Sequence, residues 1–137
     1  MQHPESWPTI HVVAGALLDT QGRVLIAQRP PGKHLAGGWE FPGGKLLFGE
    51  TSLDGLKREL NEELGIVVQS AEFLASCSHD YDDRRVLLEL WLVPVFTGMP
   101  QSLDGQALQW VESYQLNLVG MLPADEPLIV ALLRKLA

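Results

Sequence analysis

The sequence is poor in cysteine, in basic residues and in long apolar runs. Cys77 is its one cysteine, which excludes an intrachain disulfide and is typical of proteins in a reducing cytosol. Ten Lys and Arg residues oppose 17 Asp and Glu residues, and the net charge of −7 argues against binding to a nucleic acid polymer. No apolar stretch reaches the roughly 20 residues that span a membrane. We therefore expect a cytoplasmic protein that binds neither membranes nor nucleic acid polymers.

The length and composition predict one domain over residues 1–137. A chain of 137 residues has the usual size of one domain, and 46% of its residues are hydrophobic, which is enough for a packed core. The N-terminus lacks the basic segment and apolar run of a secretory signal. Cys77 lies in a strand-like run, so we interpret it as a structural thiol rather than a nucleophile.

Apolar segments separated by turn residues predict an α/β fold. A turn at 19–22 separates the first two strands, which predicts a hairpin. The strand at 84–96 is apolar on both faces, so both faces should be covered, and Pro94 should interrupt it. The order β-β-β-α-β-β-β-α favours a mixed sheet between helical layers. The predicted strands are 10–18, 23–29, 39–44, 66–76, 84–96 and 107–111, the helices are 51–64 and 125–136, and residues 1–8 form a loose lead-in.

The helix over 51–64 has recognisable start and stop signals. Thr51, followed three residues later by Asp54, resembles a capping box, and Gly65 suits the left-handed residue that ends a helix. Leucines recur at spacings of three and four residues, which predicts one buried stripe. The stripe consists of Leu53, Leu56, Leu60 and Leu64.

Three glutamates of this helix lie on a face beside the leucine stripe. Glu59, Glu62 and Glu63 are spaced so that their like charges repel, and Arg58 offsets only part of that repulsion. A hard divalent cation prefers oxygen ligands and would turn the repulsion into attraction, so Mg²⁺ or Mn²⁺ is the expected guest. The alternatives are a solvated acidic face or a metal-buffering helix without nucleotide chemistry.

The spacing of the stretch 44–66 resembles the Nudix box, G-x5-E-x7-R-E-U-x-E-E-x-G-U, in which U is a bulky aliphatic residue. The resemblance implies a hydrolase that cleaves a nucleoside diphosphate linked to another group and that uses Mg²⁺, with Mn²⁺ as a substitute. It also implies the α/β/α sandwich of that family, with a mixed, curved β-sheet between helices. The matching residues are Gly44, Glu50, Arg58, Glu59, Leu60, Glu62, Glu63, Gly65 and Ile66.

Segments outside the box resemble the MutT-like branch of the family. They are GGWEFPGGK before the box, QRP with a following histidine, the pair Asp83-Arg84, Asp104 before Gly-Gln, and PADEP near the end. This resemblance covers most of the chain. It implies hydrolysis of nucleoside triphosphates, including 8-oxo-dGTP and dGTP, to the monophosphate and pyrophosphate, which would sanitise the nucleotide pool.

Position by position, the resemblance implies roles for individual residues. The Gly43 carbonyl, Glu59, Glu62 and Glu63 would hold the metal ions. Arg58 would orient Glu59 rather than contact the substrate. Glu59 is our first choice for the general base, followed by Glu62 and Asp104.

A second set of residues is expected to bind the substrate. Arg29 and His34 would lie near the phosphates or the sugar. Phe41 would pack against the base, Arg84 would cover it from another side, and Asp125 would face its edge. The complete set is Arg29, His34, Glu40, Phe41, Pro42, Gly43, Arg84 and Asp125.

Asp125 leaves the preferred base open. Well-known MutT enzymes carry Asn at this position, and an amide both donates and accepts, whereas an ionised carboxylate only accepts. Asp125 therefore suits N–H groups of guanine or the amine of cytosine, so CTP or a modified pyrimidine nucleotide is an alternative substrate. Asp125 could instead be a plain helix cap. A non-catalytic nucleotide-binding module is the third alternative, and the oligomeric state is expected to be a monomer or a homodimer.

Overall fold

The computed structural model describes residues 8–137, so most of the predicted lead-in over 1–8 lies outside the described residues. Within that range no helix is long and apolar enough to cross a membrane. The helices are α1 (Ser52–Leu64) and α2 (Glu126–Leu136), and short 3-10 turns cover Ser113–Gln115 and Pro123–Asp125. The strands are β1 (Thr9–Leu17), β2 (Val24–Gln28), β3 (Trp39–Glu40), β4 (Gly43–Lys45), β5 (Val67–Asp80), β6 (Arg85–Thr97) and β7 (Ala107–Val111).

The strands form two sheets, and the predicted hairpin of the first two strands is wrong. β1 lies inside a mixed four-stranded sheet of order β4-β1-β6-β5, where it runs parallel to β6. β2 instead lies at the centre of an antiparallel sheet of order β3-β2-β7. Only an isolated bridge between Leu18 and Val24 joins the two strands next to the turn. The turn is present, but the chain changes sheets there instead of folding back on itself.

β5 and β6 form the longest antiparallel ladder, and the interruption predicted at Pro94 is a shift of register within the strand. β6 continues through Pro94 to Thr97. The pairing changes register nearby, since Ser70 opposes Val95 whereas Glu72 opposes Leu92. An extra residue in β6 thus accommodates the missing N–H of proline, as is usual at a β-bulge.

Neighbouring residues of the central strands point into two different hydrophobic cores. Val13 packs with the leucine stripe of α1, whereas Ala14, the next residue of β1, packs with the apolar face of α2. In β6, Leu90 and Trp91 divide between the two cores in the same way, so both faces of this strand are covered as predicted. The sheets therefore lie between α1 and α2, which confirms the predicted α/β/α sandwich.

The predicted ends of α1 are confirmed by its caps. The Thr51 hydroxyl accepts a 3.2 Å hydrogen bond from the backbone N–H of Asp54. Gly65 has a φ of 72°, a left-handed conformation that favours glycine. Leu56, Leu60 and Leu64 are fully buried, and each contributes about 1.5–3 kcal/mol of transfer free energy. This packing fixes α1 on the sheet and so fixes where its glutamates lie.

Candidate active site

A cavity of about 610 Å³ is lined by residues of both sheets and of the loops between them. The structure brings together in its wall all the residues predicted to bind substrate, although they come from five separate stretches of the chain. They are Arg29, His34, Glu40, Phe41, Pro42, Gly43, Arg84 and Asp125. Glu63 and Asp104 also line this cavity. Arg58, Glu59 and Glu62 do not line it and lie on α1 beside it.

Two glycines bring the main chain of β4 close to its neighbours. A Cβ on Gly43 would lie 2.0 Å from the carbonyl oxygen of Val13 in β1. A Cβ on Gly44 would lie 2.4 Å from Oε2 of Glu59. Neither position tolerates a side chain without movement, so the glycines set the distance between β4, the sheet and the carboxylate of Glu59.

Arg58 holds three glutamates around one guanidinium group. It donates from Nε to Glu50 at 2.7 Å, from Nη1 to Glu59 at 2.9 Å and from the same nitrogen to Glu62 at 3.1 Å. Nη2 also donates to the Lys45 carbonyl oxygen at 3.0 Å. Arg58 therefore contacts Glu59, the loop before α1 and the end of β4, an arrangement suited to orienting Glu59.

Glu50 is the strongest partner of Arg58, and it was not among the site residues predicted from the sequence. Both of its oxygens accept from Arg58, and Oε1 also accepts from the backbone N–H of Leu47 at 2.9 Å. The hydrogen bond from Arg58, together with that from Leu47, lowers the pKa of Glu50 to about 2. Glu50 thus stays ionised and anchors the loop that leads into α1.

Glu63 is the glutamate of α1 that faces the cavity. Burial, followed by the charges of Glu59 and Asp104, raises the pKa of its carboxyl group to about 8, although a hydrogen bond from the Gly43 N–H opposes the shift. The carboxylates of Glu59 and Asp104 are therefore both near enough to Glu63 to repel it. A cation among them would relieve this repulsion.

The metal ligands predicted from the sequence do not all converge on one point. Across residues 8–137, no three His, Cys, Asp or Glu side chains are arranged to hold a metal ion. Glu62 is 59% exposed and points to Arg58. The available donors are nevertheless carboxylates and the Gly43 backbone, the oxygen ligands that a hard divalent cation prefers. The residues therefore fit such an ion by their chemistry.

Gln106 ties the loop that carries Asp104 to the end of α1. It is 8% exposed, and its side-chain oxygen accepts from the backbone N–H of Asp104 at 3.0 Å and from the hydroxyl of Ser102 at 3.0 Å. Its amide donates to the carbonyl oxygen of Glu63 at 3.4 Å. These bonds bring Asp104 to the Glu63 side of the cavity, from a position 41 residues further along the chain than Glu63.

Arg29 links the end of β2 to two other parts of the cavity wall. Its Nη1 lies 3.1 Å from a carboxylate oxygen of Glu40, and its Nε donates to the backbone carbonyl of His34 at 2.6 Å. Burial raises the pKa of Glu40, and the charge of Arg29 opposes that shift. Arg29 thus positions both Glu40 and the loop that bears His34.

Asp125 is buried at the start of α2 without acting as an ordinary cap. Its side chain makes no capping hydrogen bond to the helix, and the residue is only 3% exposed. The backbone N–H of Phe41 donates to the carboxyl group. Within the described chain, Oδ2 has no hydrogen-bond partner. Burial, followed by the charge of Glu40, raises the pKa of Asp125 to about 8.

Tyr81 is a cavity residue that sequence reasoning missed. Its ring lies in the wall between two histidines, with centroid distances of 5.3 Å to His34 and 4.8 Å to His79. It comes two residues before the pair Asp83-Arg84, so the motif that pointed to Arg84 could also have drawn attention to Tyr81. Gln106 is another residue of the wall that was not predicted.

An acidic helix beside a cavity of nucleotide size, within an α/β/α sandwich, defines a class of hydrolases that act on phosphoric anhydrides. The model of the NUDIX domain family matches residues 13–131 of this chain. The chain belongs to the Nudix family and is a Nudix hydrolase. Members of this family generally need a divalent metal ion.

Curated and solved relatives agree with this assignment. The CTP pyrophosphohydrolase of Escherichia coli K12 is 41% identical over 122 residues, which cover 89% of this chain and 90% of the relative. The 8-oxo-dGTP diphosphatase of the same organism is 34% identical over 91% of this chain and 97% of its own length. The solution structure of the E. coli ORF135 protein has a TM-score of 0.86 at 38% identity, covering 99% of this chain and 96% of that one.

Proposed function

We propose that this Nudix hydrolase is a MutT-type pyrophosphohydrolase that converts 8-oxo-dGTP and dGTP to the monophosphate and pyrophosphate. The observation that carries the proposal is the single cavity in which all the predicted substrate residues meet Glu63 and Asp104. The 8-oxo-dGTP diphosphatase activity of several relatives supports the same substrate class. Removal of oxidised nucleotides would keep them out of DNA.

CTP, or a modified pyrimidine nucleotide, is the second candidate substrate. Asp125 supports it, because the free oxygen of this buried side chain lies in a cavity where a base edge can pair with it. The relative that hydrolyses CTP covers 89% of this chain at 41% identity. A binding module without catalysis is not retained, since the chain is a Nudix hydrolase.

Gly43, through its carbonyl oxygen, and Glu59, Glu62 and Glu63 would hold the metal, with Mg²⁺ as the expected ion and Mn²⁺ as a substitute. A bound divalent ion neutralises the phosphates and lowers the pKa of water. The chain supplies the remaining positioning. Arg29 and His34 face the phosphates or the sugar, while Phe41 and Arg84 enclose the base.

The reaction requires a base that takes a proton from the attacking water. The water oxygen forms a bond to the β-phosphorus, and the bond between that phosphorus and the oxygen leading to the α-phosphate breaks. The monophosphate then leaves. We assign this role to Glu59, because Arg58 donates a hydrogen bond of 2.9 Å to its carboxylate and so orients it. Glu62 and Asp104 remain the second choices.

The wider properties of the protein also remain predictions. We infer a single Nudix domain over residues 1–137, which acts as a monomer or homodimer on free nucleotides in the cytoplasm. The net charge of −7 is unfavourable for a nucleic acid polymer. A nucleotide that carries its own divalent ion has part of its charge neutralised and can still bind.

A nucleotide panel with Mg²⁺ tests the proposal. We expect pyrophosphate and a monophosphate as products, with 8-oxo-dGTP and dGTP hydrolysed at the highest kcat/KM. Higher kcat/KM for CTP or 5-substituted cytidine nucleotides would establish the second candidate. Inorganic phosphate and a diphosphate as products would contradict attack at the β-phosphorus, and binding without turnover would contradict the proposed activity.

A further inference from the structure

Among the described residues, Asp125 carries the one buried side-chain oxygen of the cavity that has no hydrogen-bond partner. The arginines of the wall are already engaged, since Arg29 pairs with Glu40 at 3.1 Å and Arg84 pairs with Asp83 at 3.1 Å. In the part of the chain that the structure describes, no salt bridge reaches Asp125, and its Oδ2 has no hydrogen-bond partner. An ionised carboxylate buried in this way would lack most of the compensation that it needs.

The surroundings of Asp125 favour its neutral form, although the charge of Arg29 and a hydrogen bond from the Phe41 N–H oppose it. Glu40 of β3 acts on it as a like charge, and the opposing charge of Arg29 is shared with Glu40. Burial, and then the charge of Asp125, raises the pKa of Tyr81 in the turn after β5 and of Cys77 in β5. Ionisation of either group would add a further negative charge.

Two residues of the loop 30–38, Lys33 and His34, complete the surroundings. Lys33 and His34 line the same cavity, but neither forms a salt bridge with Asp125 within residues 8–137. Burial raises the pKa of Asp125 to about 8, which agrees with this distribution of charges.

We propose that Asp125 reads the nucleotide base as a neutral carboxylic acid at neutral pH, and that loss of its proton lowers the preference for cytosine relative to guanine. This inference rests on the proposed function and adds to it a proton that sets the balance between its two candidate substrates.

The two forms of Asp125 present different hydrogen-bonding patterns to a base. The neutral acid can donate from its O–H to N3 of cytosine and accept from the N4 amine, which forms a matched pair. The ionised carboxylate has no donor and faces the lone pair of N3. It can instead accept from both N1–H and the N2 amine of guanine. The neutral acid can also pair with O6 and N1–H of guanine, so loss of the proton removes the match to cytosine while guanine keeps one.

The test compares kcat/KM for CTP and GTP, which share a sugar, at about pH 6.5 and about pH 9, on either side of the pH at which a strongly shifted carboxyl group titrates. We expect the ratio of CTP to GTP to fall by about tenfold or more as the pH rises, the size of discrimination that one bidentate base contact provides. Because the ratio is taken with one enzyme, titration of Glu63 or of the metal-bound groups affects both substrates alike.

Asp125→Asn is the matched control, because the amide has the same shape and always offers one donor and one acceptor. We expect its CTP to GTP ratio to resemble that of the wild type at about pH 6.5, where the acid is neutral. At high pH the variant should keep its ratio while the wild type moves toward GTP. A wild-type ratio that follows the variant at every pH would overturn the proposal.

A binding measurement distinguishes failure of this inference from failure of the proposed function. Affinities for the α,β-methylene analogues of CTP and GTP can be measured on the wild type alone, so they remain informative if Asp125→Asn does not fold. A parallel change of both affinities with pH would overturn the proton-dependent preference. Absence of hydrolysis of every nucleotide by a folded protein would instead refute the proposed function.

The free energy of unfolding gives a second, activity-independent readout. Between the ordinary value near 3.8 and about 8, the folded protein holds a proton on Asp125 that the unfolded chain has lost. The urea midpoint of the wild type should therefore fall relative to that of Asp125→Asn as the pH rises through this range. A constant difference between the two midpoints would show that Asp125 has no raised pKa and would overturn the proposal.

Discussion

Two neighbours, Arg58 and Gly44, determine where the carboxylate of Glu59 lies. Arg58 donates to it at 2.9 Å, and the absence of a side chain on Gly44 leaves room for it. We expect Glu59→Gln to lower kcat by several orders of magnitude. A positioned general base contributes about 10²- to 10⁴-fold, and the total loss should exceed that contribution. The fold should persist, because Arg58 keeps its bonds to Glu50. Single-turnover kinetics and circular dichroism measure the two effects.

Asp54→Asn provides the control for that variant. Asp54 is an exposed carboxylate on the first turn of the same helix and lies outside the cavity wall. The same chemical change there should leave kcat near that of the wild type. Near-normal turnover of Glu59→Gln would remove Glu59 from the mechanism.

Glu50 should make the protein sensitive to acid. Its pKa is lowered from an ordinary value near 4.5 to about 2, so its contribution to stability is fully present above about pH 4.5 and is lost as the pH falls through about 2. Glu50→Gln removes this contribution. Urea unfolding should show the variant to be less stable than the wild type at pH 7, and the difference should shrink as the pH falls toward 2. A difference that does not change with pH would show that the ion pair with Arg58 contributes nothing.

At the scale of the element, β4 offers neighbouring glycines with different neighbours. In Gly43→Ala the new Cβ would meet the Val13 carbonyl at 2.0 Å, so the backbone of β4 must move. In Gly44→Ala the new Cβ would meet the Glu59 carboxylate at 2.4 Å, and a flexible side chain can move away. We expect the first variant to lose thermal stability, and the second to keep its melting temperature but lose turnover. Equal effects on stability would contradict this division.

The sequence predictions were more accurate where a feature depends on nearby residues of the chain than where it depends on distant ones. The ends of α1 were predicted correctly, because Thr51 and Gly65 act on their own helix. The hairpin after β1 was wrong, because the turn was visible in the sequence whereas the true partners of β1, the strands β4 and β6, lie further along the chain, with paired residues of β1 and β6 76 positions apart. Pro94 was correctly seen as an irregularity, but a bulge in β6 absorbs it.

At the scale of the whole molecule, the sequence motifs identified the residues of the site, and the topology of the two sheets brings those residues together. The residues predicted to bind substrate come from segments between Arg29 and Asp125, and they share one cavity because the two sheets meet there. Tyr81 and Gln106 were missed because the predictions followed the charged residues of the neighbouring motifs, whereas their own places in the cavity wall appear only in three dimensions. The unpartnered oxygen of Asp125 was equally hidden, since a sequence shows a carboxylate at a helix start and not its surroundings.

The central claim involves all three scales, because it requires the glutamates of α1 to bind divalent ions beside the cavity. Its most direct test is Mn²⁺ binding, followed by electron paramagnetic resonance in the presence of an α,β-methylene nucleotide. We expect the wild type to bind Mn²⁺, and a folded variant with Glu59, Glu62 and Glu63 all changed to Gln to lose that binding. Equal Mn²⁺ binding by both proteins would place the ions elsewhere and contradict the mechanism.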